Sequence, residues 1–230
     1  CLVAISALSH GNNNNRSKLG ATNVCEDIRN VMAHYFEHPD QRIVHWCVRA
    51  IGDLSANHYQ NQIKFSKTGI NSYLMTIVKK QVIILSQKDT TNHSNSLNLL
   101  NWSLWAIGNL IQPPAKSNNP NAPTSQPNFS KFDEVGIVDV VHDILTGVSS
   151  NSSFNVATFS WTCRLILNLS RGKVIKSKLV EKGCRRVLPE VFNAVSAKKQ
   201  ITSSSNQSES FEQAESFYLA TLKSLDSAAA

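Results

Sequence analysis

A stretch of ten residues recurs three times along the chain with its aromatic and polar positions in register. The copies begin at Trp46, Trp102 and Trp161 and read WCVRAIGDLS, WSLWAIGNLI and WTCRLILNLS. The tryptophans are 56 and 59 residues apart, and a polar residue follows each of them after seven positions. A shorter copy, FYLATLKSL, starts at Phe217, and LVAISALS at Leu2 matches the end of another. Spacing of this kind predicts stacked units, because each unit buries its apolar face only against its neighbours.

A second motif alternates with the first and contains a glycine. Apolar residues follow this glycine at offsets of four, five and eight, which is the spacing of one helix face. The glycines are Gly20, Gly69, Gly136 and Gly183. We expect each glycine to end a short helix and to open a longer one, which gives a unit of three helices. Pro189 is expected to kink the helix after Gly183 or to delay its start.

A glycine at the first corner followed by a third helix of the form A-[I/L]-x-N-L resembles the armadillo repeat. The resemblance runs from residue 1 to about 228. It implies an all-α fold, a right-handed α-solenoid (superhelix) of three-helix repeats. HEAT repeats also form α-solenoids, but two helices per unit would leave the glycine corner unexplained.

The repeats also divide the chain. An armadillo unit has about 40 to 47 residues, so the longer spacing leaves room for polar segments rich in turn-forming residues. We predict loops at 86–96, at 112–127, which holds five of the seven prolines, and at 200–210. Residues 1–230 are predicted to form one solenoid, with the last helix of a truncated repeat at 1–11 and repeats at 12–58, 59–111, 128–171 and 172–229. Because the chain starts with Cys1 instead of Met, we expect a fragment of a longer protein, which can lack a native targeting sequence.

Third helices line the concave groove of an armadillo array, so the resemblance implies that their outward side chains bind partners. Positions 0, −4 and −7 from the polar residue lie within about 60° on a helix. The predicted groove residues are Trp46, Arg49, Asp53, Trp102, Trp105, Asn109, Trp161, Arg164 and Asn168. An amide can pair with both polar groups of an extended backbone, and aromatic side chains add contact area. The alternative for the three repeated tryptophans is packing against the preceding unit.

Residues Trp105 to Asn109 match the W-x-x-x-N motif by which importin-α proteins hold nuclear localisation peptides. By resemblance, Asn109 would bond the peptide backbone and Trp105 would flank a basic side chain. The neighbouring units depart from this pattern, since Arg49 and Arg164 replace the tryptophan and Asp53 replaces one asparagine. Arginines repel a basic peptide, so we expect a groove suited to acidic, phosphorylated or mixed-charge segments.

The net charge of +7 comes from residues 171–200, which hold nine basic and two acidic residues, while the rest of the chain is balanced. We call seven of these residues the basic patch: Arg171, Lys173, Lys176, Lys178, Lys182, Arg185 and Arg186. A solvated charged face is the simplest interpretation. Docking of an acidic protein, or of anionic lipid or nucleic acid, is the alternative. Phe192 is the only aromatic residue of the stretch, so stacking on bases is weakly supported.

Patterns of catalytic and metal-binding residues are weak. The five cysteines are widely spaced without a C-x-x-C pair, which argues against a disulfide framework or a cysteine zinc site and favours a reducing compartment. His34 and His38 lack a third ligand at a suitable spacing. No apolar run approaches the ~20 residues that cross a bilayer.

We therefore expect a cytoplasmic or nuclear protein that is not an enzyme and needs no cofactor or metal. The leading interpretation is a protein–protein interaction module that holds an extended peptide or a partner helix, as a scaffold or adaptor. The alternatives are an importin-α-like transport receptor, a small-GTPase regulator, and a binder of acidic lipid or nucleic acid through residues 171–200.

Overall fold

The computed structural model describes residues 1–87, 93–113, 128–148, 155–201 and 207–227. These residues form α-helices and one π-helical turn, Ile144–Val148, and contain no β-strand. The α-helices are α1 Leu2–Ser9, α2 Asn13–Gly20, α3 Val24–Tyr35, α4 Arg42–Ser55, α5 Tyr59–Lys67, α6 Ile70–Ser86, α7 His93–Leu110, α8 Asn128–Glu134, α9 Ile137–Asp143, α10 Val156–Leu169, α11 Lys173–Glu181, α12 Cys184–Ile201 and α13 Gln207–Asp226. The predicted all-α class is confirmed.

The helices follow the order that the two sequence motifs predict. Short first helices of seven to nine residues, α2, α5, α8 and α11, each precede a second and a third helix. The chain divides into two compact units, one of Cys1–Thr76 with Trp105–Val135 and one of Ile77–Leu104 with Gly136–Ala230. The repeat boundaries given above stay a prediction.

Two of the predicted loops are shorter than expected. α6 continues to Ser86 and α7 begins at His93, so helix occupies both ends of the segment 86–96. His93 and Ser96 are buried despite their polarity, because they belong to the packed face of α7. α12 likewise extends to Ile201 and α13 begins at Gln207. The remaining parts of the predicted loops, at 88–92, 114–127 and 202–206, lie outside the described residues.

Three of the four predicted corner glycines adopt the left-handed conformation directly before a second helix. Their φ angles are 75° at Gly69, 82° at Gly136 and 86° at Gly183, a region that other residues enter at a cost. The prediction for Gly20 holds only in part: Gly20 ends the short helix α2 as expected, but it does not open α3, which begins at Val24 after Asn23. Gly20 meets a different need: an added Cβ would lie 1.9 Å from Oδ1 of Asn61.

The second helix of the last repeat, α12, does not have the delayed start that was one of the two outcomes predicted for Pro189. α12 starts at Cys184, directly after Gly183, and runs through Pro189. The delayed start is therefore wrong. Pro189 is the sixth residue of α12, beyond the first four N–H groups that lack an intrahelical partner, so it removes the bond that its N–H would donate to the carbonyl of Arg185.

A row of side-chain amides in the first unit joins the helix ends, and the sequence motifs did not indicate it. Each amide donates to a carbonyl in the last turn of a helix, where backbone acceptors lack intrahelical partners. The bonds run from Asn15 to Leu8 (2.8 Å), from Asn61 to Leu54 (2.9 Å) and from Asn128 to Leu110 (3.0 Å). This amide row therefore ties α1, α4 and α7 to the first helix that follows each of them.

Two members of the amide row make a second bond to a preceding first helix. Nδ2 of Asn61 donates to the carbonyl of Arg16 at 3.0 Å, and Nδ2 of Asn128 donates to that of Gln62 at 3.2 Å. The lysine three residues after each asparagine also donates to a carbonyl of that preceding helix, from Lys64 to Gly20 and from Lys131 to Ser66. The signal in the sequence is a recurrent N-x-x-K, which also occurs from Asn15 to Lys18.

Four of the five cysteines are buried, and only Cys1 is exposed. Burial raises the pKa of Cys25 and Cys47 to about 12, that of Cys184 to about 11, and that of Cys163 as well, because a thiolate is disfavoured away from water. We expect Ellman's reagent at pH 8 to modify one thiol of the native protein and all five after denaturation in guanidinium. Rapid modification of a second thiol in the native protein would contradict this packing.

Candidate peptide-binding surface

The third helices α4 and α10 each present a tryptophan paired with an arginine. The guanidinium carbon of Arg49 lies 5.2 Å from the ring centroid of Trp46, and that of Arg164 lies 5.4 Å from that of Trp161. Residues three positions apart share a helix face, and a cation above an indole ring is attracted to it. All four side chains are half-buried, so these tryptophans are not fully enclosed in a core.

The pairing holds each arginine close to the protein surface. Partial burial lowers the pKa of Arg164 from its usual value, although the group stays ionised at neutral pH. A partly desolvated guanidinium gains more from a carboxylate than a fully hydrated one does. The two Trp–Arg pairs, one in each compact unit, therefore suit acidic groups of a partner.

Trp105 in α7 packs against the backbone of α4. An added Cβ at Gly52 would lie 2.1 Å from Cζ3 of Trp105, so the indole occupies the space that a side chain would need. The side chain of Trp105 is nevertheless half-buried, so part of it faces solvent. The predicted exposure of Trp105 therefore holds only in part.

Asn109 does not face outward as predicted, since it is 1% exposed. Its Nδ2 donates to the carbonyl of Gly52 at 3.1 Å, and its own carbonyl accepts a hydrogen bond from Gln62 at 2.8 Å. The helical spacing places Asn109 on the same face as Trp105, as predicted. Because Gly52 has no side chain, α4 approaches α7 closely and covers that face. The amide is thus bonded within the chain.

Asp53 is also buried, at 1% exposure, and the prediction of an outward side chain is wrong for it too. The carboxylate accepts hydrogen bonds from Oγ of Ser6 at 2.5 Å and from Nδ1 of His10 at 2.8 Å. The backbone carbonyl of Asp53 accepts a further bond from Nε of Arg16 at 2.8 Å. Burial lowers the pKa of Arg16, and the charge of Asp53 partly offsets this effect. Asp53 therefore holds α1 and α2 against α4.

In the second unit, Trp102 is half-buried and Asn168 is 6% exposed. The predicted outward orientation is wrong for Asn168 as well. The angular argument gives the direction of a side chain from its own helix, but it does not say which neighbouring helix covers that direction. The accessible members of the predicted groove set are therefore the tryptophans and arginines.

Comparison with known proteins identifies no matching family model and no matching curated protein. Solved structures do match. Two designed armadillo repeat proteins superpose with TM-scores of 0.61 and 0.60 at 16% and 15% identity, each over 97% of this chain and 91% of the designed chain. The fold is armadillo-like. The second of these designed proteins is in complex with the peptide (KR)4.

An engineered protein of the Northeast Structural Genomics Consortium also matches, with a TM-score of 0.64 and 12% identity. The match covers 98% of this chain and 43% of the engineered one. At these identities the likeness shows the fold alone, and the binding properties of the surface depend on this chain's own residues.

Part of the basic patch is neutralised inside the second unit. Lys182 forms a 2.7 Å ion pair with Asp139, which lowers the pKa of that carboxyl, and Arg185 is paired with Asp226. Nζ of Lys176 donates to Oγ of Ser227 at 2.7 Å. Lys178 is exposed on α11. Arg171, Lys173 and Arg186 are exposed and form no ion pair with any residue of the described ranges.

The chemistry of a metal site is lacking in the part of the chain that the structure covers. His, Cys, Asp and Glu side chains there form no group of three that could hold a metal ion. Among the same residues, no helix combines the length and apolar character needed to cross a membrane.

Proposed function

We propose that the protein is a non-enzymatic interaction module that binds extended peptide segments of its partners along its third helices, as a scaffold or adaptor. The likeness to designed armadillo repeat proteins, one of them in complex with a peptide, supports a repeat-type protein-binding scaffold. A cytoplasmic or nuclear location is part of the proposal and rests on the spacing of the cysteines in the sequence.

The observation that carries this proposal is the recurrence of half-buried Trp–Arg pairs on α4 and α10. An indole offers rigid contact area, and the arginine beside it offers charge-assisted hydrogen bonds to a carboxylate or phosphate. We therefore propose partners whose bound segments are acidic or mixed in charge. The designed relative binds the opposite kind of peptide, (KR)4, and Arg49 and Arg164 would repel such a peptide here.

An importin-α-like role is a second candidate, supported by the W-x-x-x-N sequence from Trp105 to Asn109. In that role, Asn109 would bond a peptide backbone. The bond from its Nδ2 to the carbonyl of Gly52 would first have to break, and this lowers the affinity that the amide can supply. The third alternative, a small-GTPase regulator, has no support from any particular contact or charge among the described residues.

The test is selection from a displayed library of random octapeptides. We expect enriched peptides to carry net negative charge. Replacing Arg49 and Arg164 together by Gln should weaken the best peptide about tenfold, which corresponds to about 1.4 kcal/mol. Fluorescence anisotropy of the labelled peptide measures this change.

A matched double variant, Lys67→Gln with Lys223→Gln, removes two charges from exposed positions on α5 and α13. It should leave the affinity within about twofold, since exposed and unengaged charges contribute little. Enrichment of basic peptides would favour the importin-like candidate instead. Equal loss in both double variants would mean that net charge, not the Trp–Arg pairs, governs binding.

A further inference from the structure

The second unit contains a surface pocket of about 450 Å³ where α11, α12 and α13 meet. Three apolar side chains, Val180, Pro189 and Leu222, line part of it. Gly183, at the corner before α12, adds no side chain and leaves the pocket open at that point. The pocket is therefore large enough to accept an apolar side chain of a partner.

Charged residues line the rest of this pocket, and their charges do not cancel. Arg185 and Asp226 both line it and are paired with each other. Arg186 lines it too, is exposed, and has no ion-pair partner in the described part of the chain. The lining thus carries one net positive charge, located beside apolar surface.

We propose that this pocket docks an acidic peptide segment of a protein partner. A carboxylate of the segment pairs with Arg186, and an apolar side chain packs against Val180 and Leu222. None of the pocket residues belongs to the third-helix groove set, so this is a second docking surface that goes beyond the proposed function.

The lining favours a peptide over the other anionic partners. Lipid headgroups and nucleic-acid backbones present phosphates in number but no apolar side chain to pack on Val180, Pro189 and Leu222. Phe192, the only aromatic residue of the stretch 171–200, is stacked on Tyr218 with ring centroids 4.3 Å apart and an interplanar angle of 3°. Its ring is engaged inside the second unit, which argues against a platform for nucleic-acid bases.

The probe is the fluorescein-labelled peptide EELEE, titrated by anisotropy with the whole chain. EEGEE removes only the apolar side chain, and KKLKK reverses only the charge. Because EEGEE loses the burial of an apolar side chain, it should bind at least about tenfold more weakly. KKLKK should not bind in the same concentration range.

Variants locate the binding. Arg186→Gln should weaken EELEE about fivefold to tenfold. Arg171→Gln removes the same charge from an exposed position of the same stretch that does not line the pocket, and should change the affinity less than about twofold. Leu222→Ala should reduce the preference for EELEE over EEGEE. The variant with Gln at 49 and 164 should bind EELEE normally, which separates this surface from the groove.

Three results would overturn the proposal. The first is absence of EELEE binding at millimolar protein. The second is equal weakening by Arg186→Gln and Arg171→Gln, which would indicate attraction by net charge alone. The third is co-sedimentation with vesicles of 70% phosphatidylcholine and 30% phosphatidylserine that is lost in Arg186→Gln while EELEE does not bind. That outcome would assign the pocket to a membrane surface.

Discussion

Replacing Asn61 by alanine is expected to destabilise the first unit by about 3 kcal/mol, since two carbonyls lose their donor in a buried place. Asn61 is 1% exposed, and its Nδ2 donates to the carbonyls of Leu54 and Arg16. Because the position is closed to bulk solvent, the two carbonyls lose a donor that water does not readily replace. Urea unfolding followed by circular dichroism measures the change in the free energy of unfolding.

The matched control is Asn15→Ala. Asn15 occupies the same place in the amide row, but it makes one such bond, to the carbonyl of Leu8, and it is only half-buried. Water can replace its amide, so we expect a loss of about 1 kcal/mol or less. Similar losses at both positions would show that the amide row contributes through local helix capping and not through buried hydrogen bonds between helices.

The sequence predicted the helical order well because apolar spacing and corner glycines are local signals. Gly69, Gly136 and Gly183 each start a new helix as expected, and their positive φ angles explain why glycine recurs there. Gly20 ends α2 as expected but does not open α3, and it satisfies the same spacing for another reason, the close approach of Asn61. A single glycine in a sequence does not distinguish these two needs.

The candidate site was less accessible to prediction than the fold. The tryptophan and the arginine of α4 lie on one helix face, and so do those of α10, as their i, i+3 spacing predicts. Asp53 and Asn109 were expected to face a partner, yet they bond within the chain. The partners of these two side chains lie 43 to 57 residues away, and helical periodicity carries no information about such contacts.

The amide row has a sequence signal of its own, the recurrent N-x-x-K. It occurs at the start of α5 and α8 and within α2, but the aromatic and glycine positions are the stronger repeat signals. Asparagine is also abundant in this chain, so its recurrence alone has little weight. Only the carbonyl acceptors in α1, α4 and α7 identify the amide row as a structural feature.

The contact between Trp105 and Gly52 leads to the second large effect. Gly52→Ala would bring a methyl group to 2.1 Å from the indole, so the ring or the helix must shift. Overpacking of this kind costs about 1 to 3 kcal/mol, and we expect the upper end because backbone and ring are both confined. The shift would also disturb the bond from Asn109 to the carbonyl of Gly52.

Two comparisons make this prediction specific. Gly108 stands at the same position of the next copy of the motif, but nothing lies within 4 Å of a Cβ added there. Gly108→Ala should therefore stabilise the protein by about 0.5 to 1 kcal/mol, as alanine does inside a helix. In a Trp105→Ala background, Gly52→Ala should likewise become neutral or stabilising, since the obstructing ring is gone.

The double-mutant cycle of Gly52→Ala and Trp105→Ala should thus give a coupling energy of about 3 kcal/mol from urea unfolding. A coupling near zero would mean that the indole moves aside at little cost, and then Trp105 would be available to a partner without disturbing α4. A large coupling instead means that any ligand that displaces Trp105 must also overcome its packing on Gly52. The same four proteins, titrated with a peptide selected on the native chain, would then report how much of the binding free energy that packing consumes.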